Sequence, residues 1–340
     1  MPTHPATGKT KHLRALSNPA GVIAAVAMDQ RASLVKTIAA ARGIERKDVA
    51  PSVMSEFKSA VSKALSPHAS AILLDPEYGL PGAAARDPRC GLLLAYEFSG
   101  YDTTRPGRLP YLLEDVSVRR IKEWGANACK LLIYYSPFDS PRVNDIKHAL
   151  VERAGSECAA EELPFFLELL SYDPAGGDGK GLAAAKLKPR VALGTIMEFC
   201  KPRYGVDVLK VEVPIASRFT EGSRAFCGER AYSYAEALGL MKEASDASTL
   251  PFIYLSAGVD NDVFTEQLRM AAEAGSDYSG VLCGRATWKG GLPVYGQRGA
   301  AALEEWLSGE GVANIGNVNE AIRPAKPWWF KFGLSSGETE

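Results

Sequence analysis

Two lysines interrupt segments that are otherwise apolar, Lys210 in VLKVEVP and Lys130 in ACKLLIYY, and Glu168 in PFFLELLSY lies between them in sequence. An isolated buried ammonium is costly, so each lysine must be paired, deprotonated or turned toward a polar cavity. Desolvation, helped by a second cation, lowers a lysine from its reference of about 10.4 toward neutrality and supplies the free amine that attacks a ketone. The product would be a carbinolamine and then an iminium. Glu168, close to two ammonium groups, would stay ionised and could shuttle protons during dehydration and enamine protonation. The competing reading is structural: each lysine a salt bridge, and Glu168 the partner of Lys130.

Asp29 closes the apolar run GVIAAVAMD and is followed by Gln30 and Arg31. Its carboxylate could accept a proton from a hydroxyl on the far side of a scissile bond, or cap a helix that begins near Arg31. Ser256-Ala257-Gly258 and Gly284-Arg285-Ala286 end two later apolar runs. Small residues let the backbone approach a phosphate, and Arg285 can grip one bidentately. Asp75, Glu77 and Glu97 follow apolar runs in the same way.

Positioning these side chains at one place requires a repeating scaffold. Eight short apolar runs recur, at 21–29, 71–76, 91–96, 126–135, 164–172, 208–214, 251–258 and 280–286. Most are nearly continuous in apolar residues, as strands of a parallel sheet covered by helices should be. Between them lie amphipathic stretches at 52–65, 117–124, 140–154, 190–201, 232–244, 260–274 and 299–307, the sixth opened by Asp260. Eight alternating repeats predict an α/β fold, a (β/α)8 TIM barrel in one domain, whose strands place their C-terminal ends at a common mouth. The expected division is an N-terminal arm over 1–20, the barrel over 21–307 and a tail over 308–340. The Gly-rich stretch 173–189 suits a lid over the mouth. Its GGDGKG is no phosphate loop, because Gly181 stands where that motif needs Ser or Thr. Trp328 and Trp329 in the tail are expected to pack on the barrel or on a second subunit.

The 39 basic and 40 acidic residues leave a formal net charge of -1, which argues against a nucleic-acid partner or an anionic membrane surface. No apolar run reaches the roughly 18 residues of a membrane span, and the start lacks the apolar core of a secretory signal, so a cytoplasmic protein is expected. The six cysteines are scattered without a CxxC pair and are expected to be reduced. The four histidines, His4, His12, His68 and His148, avoid the strand ends, which argues against a zinc centre. Neither a GxSxG elbow nor a GxGxxG with an acidic partner appears.

MDQR at 28–31, LLDPEYGLP at 73–81, LAYEFSGYD at 94–102, KPRYGVDVLKVEVP, LPFIYLSAGV and GVLCGRATW together resemble the class I tagatose-1,6-bisphosphate aldolase family, Schiff-base enzymes of the DeoC/LacD-like kind. The likeness runs from about Gly21 to Trp288. It implies that Lys210 is the Schiff-base lysine, Glu168 the acid/base residue and Lys130 its cationic neighbour, with Asp29, Gln30 and Arg31 facing substrate. It also implies that Ser256, Gly258, Gly284 and Arg285 bind phosphate. The implied reaction is reversible cleavage of a ketohexose 1,6-bisphosphate, tagatose 1,6-bisphosphate foremost, to dihydroxyacetone phosphate and glyceraldehyde 3-phosphate. No metal or other cofactor is implied, the partner is a small phosphorylated ketose, and a homo-oligomer is compatible. The sequence departs from the family pattern at Ala32 and Ser33, over 171–189 and in ASRFTEGSRAFCGERAYS, all bordering the mouth. The same lysine chemistry on 6-deoxy-6-sulfofructose 1-phosphate is therefore an alternative. A non-catalytic sugar-phosphate sensor and a barrel isomerase are more remote ones.

Overall fold

The computed structural model describes residues 7–176, 179 and 181–339. Eight parallel strands close in sequence order into a barrel: β1 (Ile23–Ala27), β2 (Ala71–Leu74), β3 (Gly91–Ala95), β4 (Ala128–Tyr135), β5 (Phe165–Ser171), β6 (Val208–Glu212), β7 (Phe252–Leu255) and β8 (Gly280–Cys283). Each lies inside one of the eight apolar runs. Their side chains are buried on both faces, inward by the barrel core and outward by helices, which is why the runs lack a clean alternation. β4, β5 and β6 depart from this near their ends, where Leu132, Tyr134, Leu170, Ser171 and Glu212 are half-buried along the mouth.

The helices are α1 (Thr7–Ala15), α2 (Ala32–Arg42), α3 (Pro51–Leu65), α4 (Leu80–Ala85), α5 (Val118–Glu123), α6 (Pro141–Ala160), α7 (Leu182–Phe199), α8 (Tyr234–Ala247), α9 (Asn261–Glu273), α10 (Arg285–Trp288), α11 (Gly291–Trp306) and α12 (Val312–Ala321). Local signals set several starts. Pro51 and Pro141 occupy first helical positions, and Ser233 with Glu236 forms a capping box for α8. Asp260 stands before α9 without capping it, and its carboxylate instead pairs with Lys289 at 2.7 Å.

α1 crosses the N-terminal ends of the strands. Lys9 pairs with Asp207 at 2.7 Å, and Ser70 donates to the Leu16 carbonyl at 2.8 Å. The tail packs on the barrel's own chain. The Trp328 side chain is fully buried, and its backbone N–H donates to the Gly21 carbonyl at 2.9 Å.

Two expectations change. α7 begins at Leu182 rather than 190, so half of the expected lid is helix. The run LAAAKLK consists of strong helix formers, which carry the helix past Pro189. Residues 177, 178 and 180 of that stretch lie outside the described residues. Beyond 307, where no helix was expected, Ile315, Val318 and Ala321 supply an apolar stripe for α12.

Candidate active site

Strand register fixes the height of each charge. Lys130 on β4 lies level with Ala95 and Phe166, while Glu168 on β5 lies level with Leu132 and with Lys210 on β6. Side chains two residues apart on a strand share a face, so Lys130 sits one layer beneath Glu168 and Lys210. Glu168 joins the layers. Its Oε2 is 2.8 Å from Lys210 Nζ and 3.1 Å from Lys130 Nζ. Lys130 is also 2.6 Å from Asp29 Oδ2 and 2.5 Å from Glu97 Oε1. Glu97 in turn accepts the Leu132 N–H at 2.9 Å and meets Arg31 at 3.4 Å.

A cavity of about 400 Å³ opens above this cluster, lined by Asp29, Glu97, Glu168 and Lys210 among others. Lys130 lies under its floor, fully buried. The same cavity is bordered by Ser256, Gly258, Gly284 and Arg285 from the ends of β7 and β8. Gly258 has φ +81°, and a Cβ there would come 2.7 Å from the Arg285 guanidinium carbon. The positive φ favours glycine, and a Cβ there would displace the Arg285 guanidinium. Gln30 lines the same side, and its buried Oε1 has no hydrogen-bond partner among the described residues.

Electrostatics fix the charge of Lys130. Burial alone would lower Lys130, but the carboxylates of Asp29, Glu97 and Glu168 prevail and push it well above the usual lysine range. It is a fixed cation. Burial likewise opposes ionisation of Asp29, yet the ammonium groups of Lys130 and Lys210 hold its carboxyl well below the usual carboxylate range. Asp29 does not cap α2, whose start has no side-chain cap.

A family model described as "DeoC/LacD family aldolase" matches residues 23–290, most of the chain. The chain belongs to the DeoC/LacD aldolase family. It is a carbon-carbon lyase. Similar proteins include tagatose 1,6-diphosphate aldolase of Listeria monocytogenes, 51% identical over 96% of this chain and 95% of that one. Tagatose 1,6-diphosphate aldolase 2 of Enterococcus faecalis is 51% identical, covering 97% and 98%, and the Streptococcus agalactiae enzyme is 44% identical, covering 94% and 97%. Among solved structures, a fructose-bisphosphate aldolase from Plasmodium falciparum superposes with a TM-score of 0.68 over 94% of this chain and 95% of that one. At 14% identity it shows the shared fold.

In this DeoC/LacD aldolase, all ten residues singled out from the sequence, Asp29, Gln30, Arg31, Lys130, Glu168, Lys210, Ser256, Gly258, Gly284 and Arg285, lie at or directly beneath one mouth. Arg31 is buried and tied to Glu77 at 2.9 Å as well as to Glu97. Two participants had no role assigned to them from the sequence. Glu97 was one strand-end carboxylate among several, and only the register of β3 against β4 aims it at Lys130. Lys58 on α3 donates to the carbonyls of Met28 at 2.6 Å and Gln30 at 2.8 Å and to Asp75, fixing the segment that carries Asp29. Its signal was its place on the buried stripe Met54, Phe57, Val61, Leu65. Among the described residues, no group of three or more His, Cys, Asp or Glu side chains could hold a metal ion, and no helix is long and apolar enough to cross a membrane.

Proposed function

We propose that this aldolase, working in the cytoplasm, cleaves a ketohexose 1,6-bisphosphate, tagatose 1,6-bisphosphate foremost, through a Schiff base on Lys210. The contact of Lys210 Nζ with Glu168 Oε2 at 2.8 Å, inside the cavity, is the observation that carries this reading. The named substrates of the relatives support it.

In the free enzyme Lys210 passes a proton to Glu168, and its amine attacks the C2 ketone to form a carbinolamine. Glu168 returns the proton to the leaving hydroxyl, water departs, and an iminium remains. Asp29 takes the proton of the C4 hydroxyl as the C3–C4 bond breaks, and the bond's electron pair moves into the iminium to give an enamine. Glyceraldehyde 3-phosphate leaves. The proton held by Asp29 is then delivered to C3 of the enamine, and addition of water to the resulting iminium releases dihydroxyacetone phosphate and regenerates the protonated lysine and the Asp29 carboxylate.

Lys130 stays charged throughout and keeps Asp29 ionised between turns. Ser256, Gly258, Gly284 and Arg285 would hold the 1-phosphate beside the ketone, with Gln30 and Arg31 on the β1 side. Incubation with tagatose 1,6-bisphosphate is expected to release both triose phosphates in equal amounts. Interconversion of aldose and ketose without cleavage would overturn the proposal.

A further inference from the structure

The connection between β3 and α5 doubles back across the mouth. Phe98 N–H donates to the Tyr111 carbonyl at 2.8 Å, and Leu113 N–H to the Tyr96 carbonyl at 3.0 Å. At the turn of this excursion Arg108 holds φ +48°, a left-handed conformation that strains any residue with a Cβ. The turn is pinned from below. The Tyr172 hydroxyl accepts from Lys147 at 2.8 Å and shares its one proton between the Asp139 carboxylate and the neighbouring Gly107 carbonyl, which is 3.1 Å away.

The Arg108 guanidinium is stacked among three rings, 5.4 Å from the centroid of Tyr101, 5.1 Å from Tyr134 and 5.1 Å from Tyr172. Ring faces orient a guanidinium plane while leaving its N–H edge free for an anion. Among the described residues it makes no ion pair or hydrogen bond. It is a held charge without a counter-charge.

Its location gives that charge a use. Arg108 lines the cavity that contains Lys210, and also a neighbouring cavity of about 750 Å³ bounded by Lys188 and Arg218. Tyr134, which supports it, is on β4, and Arg285 follows β8, four strands away around the closed barrel and so on the opposite side of the mouth. Lys210 is on β6, midway between. A chain molecule with an anion at each end and a ketone between them spans that arrangement.

We propose that Arg108 grips the anionic group at the far end of the substrate, on the aldehyde side of the scissile bond, and so sets preference for a ketose bisphosphate over a ketose 1-phosphate. This rests on the aldolase reading above and adds a specificity residue to it.

The test compares wild type with Arg108→Gln and Arg108→Lys on tagatose 1,6-bisphosphate and tagatose 1-phosphate. Loss of a charge-assisted contact should lower the ratio of kcat/KM for the bisphosphate over the 1-phosphate by roughly ten- to a hundredfold, chiefly through KM for the bisphosphate. Arg108→Lys should recover part of the ratio, because an ammonium keeps the charge but lacks the fork. An unchanged ratio would overturn the proposal, and if both rates fell equally Arg108 would keep only a structural role. Borohydride reduction with dihydroxyacetone phosphate, which has no far end, reads the lysine chemistry separately. An adduct together with an unchanged ratio would defeat the arginine assignment alone. Absence of the adduct in wild type would defeat the aldolase reading beneath it.

Discussion

Lys58 and Lys210 are both buried ammonium groups beside a carboxylate, but their surroundings differ. Lys58 commits its protons to two backbone carbonyls and Asp75, all fixed, and lines neither the cavity that contains Lys210 nor its neighbour. Lys210 has, among the described residues, one partner, a Glu168 oxygen that it shares with Lys130, and it faces open space. Burial therefore does not distinguish a structural lysine from a reactive one. What does is whether its hydrogen bonds are all committed, and whether its carboxylate has a second cation to turn to when the lysine gives up its charge.

The comparison breaks most sharply under mutation of each lysine. Lys210→Ala is expected to abolish cleavage while preserving the fold, because Glu168 keeps Lys130 at 3.1 Å and no buried charge is orphaned. A steady-state assay beside a thermal melt checks both halves. Residual cleavage near the wild-type rate would refute the assignment of the nucleophile. Next in size, Glu168→Gln should slow turnover by roughly two to four orders of magnitude, since it leaves the ammonium groups but removes the proton carrier. An unaltered kcat would return Glu168 to a plain ion pair.

Lys58→Met should reverse the pattern. It strands Asp75 in the core, so stability measured by denaturant unfolding should fall by about 3–5 kcal/mol, with a smaller effect on kcat than either change above. Replacing Asp75 by Asn in the same chain should recover part of that loss. A Lys58→Met protein as stable as wild type would mean that the pair contributes nothing to the fold.

The contrast also marks what could be read from the chain alone. The eight strands were legible because parallel strands buried on both faces write themselves as short apolar runs, and a lysine inside such a run is conspicuous. Lys210 and Lys130 were found that way. Which of them stays charged was not legible, because it depends on three carboxylates converging on Lys130 from β1, β3 and β5. Glu97 was visible as a residue but not as a partner, since one step of register would have turned it outward. Lys58 was the hardest to see. A lysine in an amphipathic helix reads as solvent-facing, and only its spacing from Met54 and Val61 betrays that it points inward. The start of α7 was misplaced because Pro189 reads as a boundary, whereas the helix formers before it continue through.

The central claim is that Lys210 forms the covalent intermediate, and trapping it is the most direct test. The enzyme is incubated with dihydroxyacetone phosphate, reduced with borohydride, digested and mapped by mass spectrometry. The account predicts a single stoichiometric adduct on the peptide carrying Lys210, absent in Lys210→Ala. An adduct on Lys130 or Lys58 instead, or none on any lysine, would contradict it.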